Sequence, residues 1–166
     1  MRSMTPLALE EFGEQPFKFT ATAKLDADPL AVFAELADPS LWFPLMRRSV
    51  WKTAATSGVG AEREVDIRTF GKFRERMLAW DTGERVAFTM VGTTSPLVDR
   101  MGEIWQLSRE DIGTRIDWVV AAQPSRVGRL AAPALRAILR VMFVRAAGKL
   151  QKRAGTFKGE RAKEVS

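Results

Sequence analysis

Arg63, Glu75 and Glu103 are the residues of this chain best placed to do chemistry, because each interrupts the apolar face of an alternating segment. Over residues 59–69, Ala61, Arg63, Val65, Ile67 and Thr69 share one face, with Glu62, Glu64, Asp66 and Arg68 on the other. Over 72–80, Phe73, Glu75, Met77 and Ala79 lie opposite Arg74 and Arg76. Over 98–108, Met101, Glu103, Trp105 and Leu107 lie opposite Arg100 and Gln106. An isolated buried charge costs several kcal/mol, so these three groups must pair, meet water or meet a ligand. If burial raises one carboxyl pKa, the pair also permits acid/base work, with Glu75 or Glu103 as proton acceptor and Arg63 stabilising an enolate. A structural ion pair is the alternative, and a register slip of one residue would turn any of the three to solvent.

What is missing narrows the chemistry further. The 166 residues contain no His, Cys or Tyr. Disulfides, thiol nucleophiles, Ser-His-Asp triads, Cys/His zinc sites and haem held by these side chains are all excluded. Only an all-carboxylate metal site survives, and neither metal nor cofactor is expected. The inventory favours holding a molecule over transforming it.

Elements must position the three charges. With 46% hydrophobic and 28% charged residues, the chain fits one globular domain. Residues 1–15 show no sustained period and are expected to form a flexible arm, with the domain over 16–153 and a charged tail over 154–166. Residues 16–25 alternate Phe17, Phe19, Ala21, Ala23 and Leu25 with Lys and Thr, which predicts a strand. Asp26, or Asp28 before Pro29, caps a short helix through Ala37, and Asp38-Pro39-Ser40 opens a second one that Pro44 ends. Turn chemistry then separates six strands over 49–55, 59–69, 72–80, 85–91, 98–108 and 114–122, an antiparallel meander that makes seven strands in all. In the last of these, Thr114, Ile116, Trp118 and Val120 point inward.

From Arg126 to about Lys152 the period becomes helical. Ala131, Leu135, Ile138, Leu139, Met142 and Ala146 cluster on one face, and Arg126, Arg129, Arg136 and Arg140 on another. Pro133 should bend the helix or mark its first turn. Lys149 falls on the apolar face, so that face is expected to leave the core in the last two turns.

One long helix and a large sheet with one apolar face make an α+β, helix-grip arrangement: a seven-stranded curved antiparallel sheet wrapped around the C-terminal helix, with two short helices after the first strand. At this point the chain resembles the START-like and Bet v 1-like helix-grip superfamily, of the bacterial polyketide cyclase/dehydrase and lipid-transport (SRPBCC) type. The resemblance rests on Asp28-Pro29-Leu30-Ala31-Val32-Phe33, on Asp38-Pro39-Ser40-Leu41-Trp42-Phe43-Pro44, on Val59-Gly60-Ala61-Glu62 and on residues 75–88. Trp105-Gln106-Leu107, Gly113-Thr114-Arg115-Ile116 and the Arg-rich terminal helix complete it. It implies a hydrophobic ligand held between sheet and helix. Trp42, Phe43, Phe73, Met77, Phe88, Trp105, Trp118, Leu135, Ile138 and Met142 are the expected apolar lining, Phe143 a further aromatic candidate, and Arg63, Glu75 and Glu103 the polar anchors. Trp51 and Trp80 are placed outside the pocket.

Three functions compete. A binder or carrier of a lipid-like or polycyclic molecule requires a cavity above about 150 Å³. A cyclase/aromatase-like enzyme would use the buried carboxyls. An interaction module would dock the Arg126, Arg129, Arg136 and Arg140 stripe on an anionic membrane or an acidic partner. That stripe sits in a strongly asymmetric chain: residues 1–125 carry 15 Lys/Arg against 18 Asp/Glu, and residues 126–166 carry 11 against 2. A solvated helix face is the commoner meaning of such a stripe, and no nucleic-acid motif accompanies it. The acidic start without an apolar run reads as a cytoplasmic protein, and the longest apolar stretch, 130–144, is broken by Pro133, Arg136 and Arg140.

Overall fold

Period-two segments dominate the first three quarters of the chain, and in the computed structural model they pair into one antiparallel sheet. The structure describes residues 1–164, with side chains through residue 155. The strands are β1 (Arg2–Ser3), β2 (Phe17–Leu25), β3 (Met46–Trp51), β4 (Glu62–Ile67), β5 (Gly71–Asp81), β6 (Arg85–Thr93), β7 (Val98–Arg109) and β8 (Thr114–Pro124). Their order is β2-β8-β7-β6-β5-β4-β3, with β1 added to β6. Two helices follow the same numbering, α1 (Pro29–Leu36) and α2 (Arg126–Glu164). The expected architecture is present: a curved sheet gripping a long terminal helix, with α1 and a 3-10 turn (Pro39–Leu41) after the first long strand. Asp28 caps α1 by accepting from the Leu30 amide, and Asp38 caps the 3-10 turn by accepting from Ser40.

The first hairpin is displaced from its predicted position. Strands predicted over 49–55 and 59–69 are Met46–Trp51 and Glu62–Ile67. Positive φ at Leu45 and Thr69 ends the pairing at one side, so Thr69 lies in a turn and not on the inner face.

Residues 1–15 are packed on the sheet rather than loose. β1 pairs with the end of β6 where β6 has parted from β7, and a 3-10 helix (Leu9–Glu14) lies on the outer face. Leu7 and Phe12 are buried there against Ala121, with Leu78 and Ile104 beside them. Gly102 makes this possible: a Cβ at that position would stand 2.2 Å from the Phe12 ring. Glu11 accepts from the Ala8 amide and receives Arg100 at 2.8 Å, and both contacts hold its carboxyl below the usual range.

The terminal helix is gripped most tightly in its second half, where its inner face was expected to leave the core. Met142, Phe143, Ala146, Ala147, Leu150 and Ala154 are buried, whereas Ile138 is 42% exposed. Ala147, Leu150 and Ala154 extend the inner face past Lys149, which points outward at the helix edge. Arg153 pairs with Glu35 of α1, and Gln151 bonds the Asp26 backbone, clamping the C-terminal half. The charged tail expected over 154–166 begins inside α2, and its side chains beyond residue 155 lie outside the described residues.

Candidate functional site

The strand alternation brings the three charges inward. Arg63, Glu75 and Glu103 are 3%, 3% and 8% exposed, each surrounded by apolar side chains. Arg63 and Glu75 are register partners on β4 and β5, and the guanidinium pairs with the carboxylate, the Ala37 carbonyl oxygen and two ring faces, Trp51 and Phe88. Burial pushes the Glu75 carboxyl up, and the Arg63 charge pulls it back.

Among the described residues Glu103 has no ion pair of its own. It accepts from the Trp118 indole N–H at 2.7 Å. Burial, reinforced by the nearby Glu75 charge, pushes its carboxyl up to about 8 against the pull of that indole and of Arg63. Glu103, raised to about 8, is therefore mostly neutral near pH 7, beside the paired side chains of Arg63 and Glu75.

The indoles hold this carboxyl in place. Trp105 and Trp118 are cross-strand partners on β7 and β8, stacked at 5.0 Å and 13°. Phe143 of α2 stacks on Trp118 at 6.0 Å, and Trp42 meets Trp105 edge-on at 5.1 Å. The Trp42 N–H donates to the Glu35 carbonyl oxygen, which orients that ring.

Two spaces flank Glu103. A cleft of about 100 Å³ lies between the sheet and the first half of α2 and is partly open to solvent. Among the expected lining residues, Phe43, Phe73, Glu103, Trp118, Leu135 and Met142 reach it. A smaller cavity of about 30 Å³ touches Trp42, Phe43, Arg63, Glu75, Phe88, Glu103 and Trp105. Its size suits a water held by the three polar groups. Met77 is fully buried core and touches neither space, and Ile138 points away from both. Trp51 and Trp80 also lie outside them, in contact with each other at 6.0 Å.

Several lining residues escaped the sequence reasoning. Phe17, Met101 and Val120 sit on strand faces already assigned inward, and Leu139 shares the helix face of Leu135. Phe70 and Leu97 come from turns, where no period signals direction. The start of α2 is pinned beside them. Ser125 caps it, accepting from the Gly128 amide at 3.1 Å and donating to the Pro96 carbonyl oxygen at 2.7 Å. At about 100 Å³ the cleft is smaller than the floor of about 150 Å³ set above for a carrier cavity. A cavity of about 150 Å³ holds benzene, so a lipid or polycycle does not fit this conformation.

A curved sheet, a gripped helix and a largely apolar cleft reached by Glu103 and Ser95 define a helix-grip domain. Residues 16–155 match the family described as polyketide cyclase/dehydrase and lipid transport, and the chain belongs to that family. A START superfamily protein from Mycobacterium smegmatis superposes with a TM-score of 0.69 at 10% identity, covering 84% of this chain and 98% of that one. A protein from Thermobifida fusca gives 0.66 at 20% identity, covering 84% and 93%. The di-domain ARO/CYC StfQ from the steffimycin biosynthetic pathway gives 0.74 at 13% identity, covering 90% of this chain and 55% of that chain. No curated protein matches the sequence. Fold and family together support a ligand-binding or polyketide cyclase-type role.

Proposed function

We propose that the protein binds a small, flat, hydrophobic molecule in the cleft between the sheet and the first half of α2, and that this half-helix moves outward to admit it. The observation that carries the reading is the lining: apolar side chains apart from Ser95, with the neutral carboxyl of Glu103 as the charged-type residue. A neutral carboxyl donates as well as accepts, so it suits a carbonyl or hydroxyl on an otherwise apolar ligand. Movement is supported by the uneven grip on α2. Pro133 removes one amide donor from the first half, while the second half is clamped by Arg153 and Gln151.

Thermal melts with a hydroxylated polycyclic aromatic and with a fatty acid test this. A ligand at about 100 times its Kd stabilises by about 2.7 kcal/mol, which raises Tm by about 5 °C or more in a domain this size. Quenching of the Trp105 and Trp118 fluorescence should accompany it. Leu139→Trp fills the cleft and abolishes both signals. No shift with either class, or the same shift in the filled variant, overturns the reading.

A second reading, a cyclase-like enzyme, is favoured by the same carboxyl. Its pKa of about 8 suits proton transfer near neutrality, and the family includes cyclases. Glu75 and Arg63 line the small cavity and not the cleft, so Glu103 would be the proton-transfer group. Glu103→Gln separates the readings: a binder keeps its ligand, whereas a cyclase loses turnover of a polyketide substrate.

A further inference from the structure

The face of α2 opposite the core is apolar as well. Leu130 is 87% exposed, Val144 65%, Val127 56%, Val141 51% and Ile138 42%. Spacings of three and eight residues put them on one outward stripe about 25 Å long. A soluble helix normally turns its polar side outward, so five large aliphatics in that position leave an uncovered surface.

The charge beside the stripe selects what covers it. Arg126, Arg129 and Arg140 lie along one flank, exposed and without an ion pair among the described residues, and Arg145 lies on the other side. No Asp or Glu occurs between Asp117 and Glu160. A second copy of the chain seated symmetrically on this face would oppose arginine to arginine with no acid to relieve them. An anionic lipid surface supplies both the apolar depth and the opposite charge. A shallow groove beside the helix, lined by Phe19, Thr20, Arg136 and Arg140, adds a seat for a lipid headgroup. Arg136 is already held there by the Lys18 carbonyl oxygen at 2.7 Å and the Phe17 ring at 4.7 Å.

We propose that the outer face of the first half of α2 docks on an anionic bilayer surface, Val127, Leu130, Ile138, Val141 and Val144 entering the interface and the flanking arginines meeting lipid phosphates. The cleft lies under the same half-helix, so a docked molecule would present its cleft wall to the lipid. The inference stands on the outer face alone and does not need the cleft to bind anything.

Vesicle sedimentation tests it, with phosphatidylcholine alone and with about one third phosphatidylserine. The protein should pellet with the anionic vesicles only, and return to the supernatant at about 0.5 M salt. The double variants Leu130→Ser/Val141→Ser and Arg126→Gln/Arg129→Gln alter only exposed side chains. Each should lower binding about tenfold or more while the thermal melt stays unchanged. Failure to pellet with anionic vesicles, equal binding to phosphatidylcholine alone, or wild-type binding by the aliphatic variant overturns the proposal. So does a dimer in analytical ultracentrifugation that Leu130→Ser/Val141→Ser dissociates, which would assign the face to a second copy. Both variants keep Leu135, Leu139 and Met142, so loss of vesicle binding leaves the ligand-induced shift in Tm intact.

Discussion

At the scale of single residues, Glu103 is the group whose behaviour the surroundings change most. Its ordinary pKa is 4.5 and the folded protein raises it to about 8. The folded state therefore keeps a proton that the unfolded chain releases, and stability falls as pH rises from about 4.5 to about 8. Urea melts at pH 5.5 and 8.5 should show the wild type losing about 2 kcal/mol or more across that interval. Glu103→Gln keeps an oxygen for the Trp118 N–H but cannot ionise, so it should lose less than half as much. Equal losses in both proteins would remove the buried acid from the account. The inward direction of Arg63, Glu75 and Glu103 was readable from alternation, because period two leaves each strand residue only two choices. Which carboxyl the arginine would take was not readable. The β4–β5 register sets that choice, by placing Arg63 opposite Glu75.

At the scale of elements, α2 is the one that sequence periodicity described least well. Its apolar positions run continuously around three sides of the first half, and no moment can say which side meets the sheet. The decision is made at the two ends: Ser125 and Gly128 against the β6–β7 turn, and the second half against Glu35 of α1 and the Asp26 backbone. Gly128 is the sharper point, since a Cβ there would stand 1.8 Å from the Leu97 carbonyl oxygen. In an open helix Gly→Ala gains about 1 kcal/mol, whereas overpacking against backbone costs about 1–3 kcal/mol. Gly128→Ala should therefore destabilise the protein in chemical denaturation and speed amide exchange at 126–141 more than at 143–154. A stabilised variant would show that the contact yields without strain.

At the scale of the whole molecule, the domain is closed on its outer side by a segment that carries no periodic signal. Leu7 and Phe12 reach across to Ala121, and the Leu7 amide donates to Thr89 Oγ1 at 2.7 Å. Phe12→Ala should cost about 3 kcal/mol in a denaturant melt, the range for a buried ring. A loose arm would cost under about 0.5 kcal/mol, the size of a surface change. The sign that an outer cover exists was present in the sequence, in Leu78, Gly102 and Ile104 on faces that otherwise carry charge. It needed a partner segment to become meaningful.

The sequence by itself determined the helix-grip architecture, the family, the inward set of three charges and the lack of thiol, imidazole and phenol chemistry. These depend on composition and on local periods, which a chain carries before it folds. Tertiary structure alone decided the Arg63–Glu75 partnership, the raised pKa of Glu103, the modest volume of the cleft and the half of α2 that is gripped. Those depend on register, on desolvation and on which surfaces remain uncovered once distant segments meet.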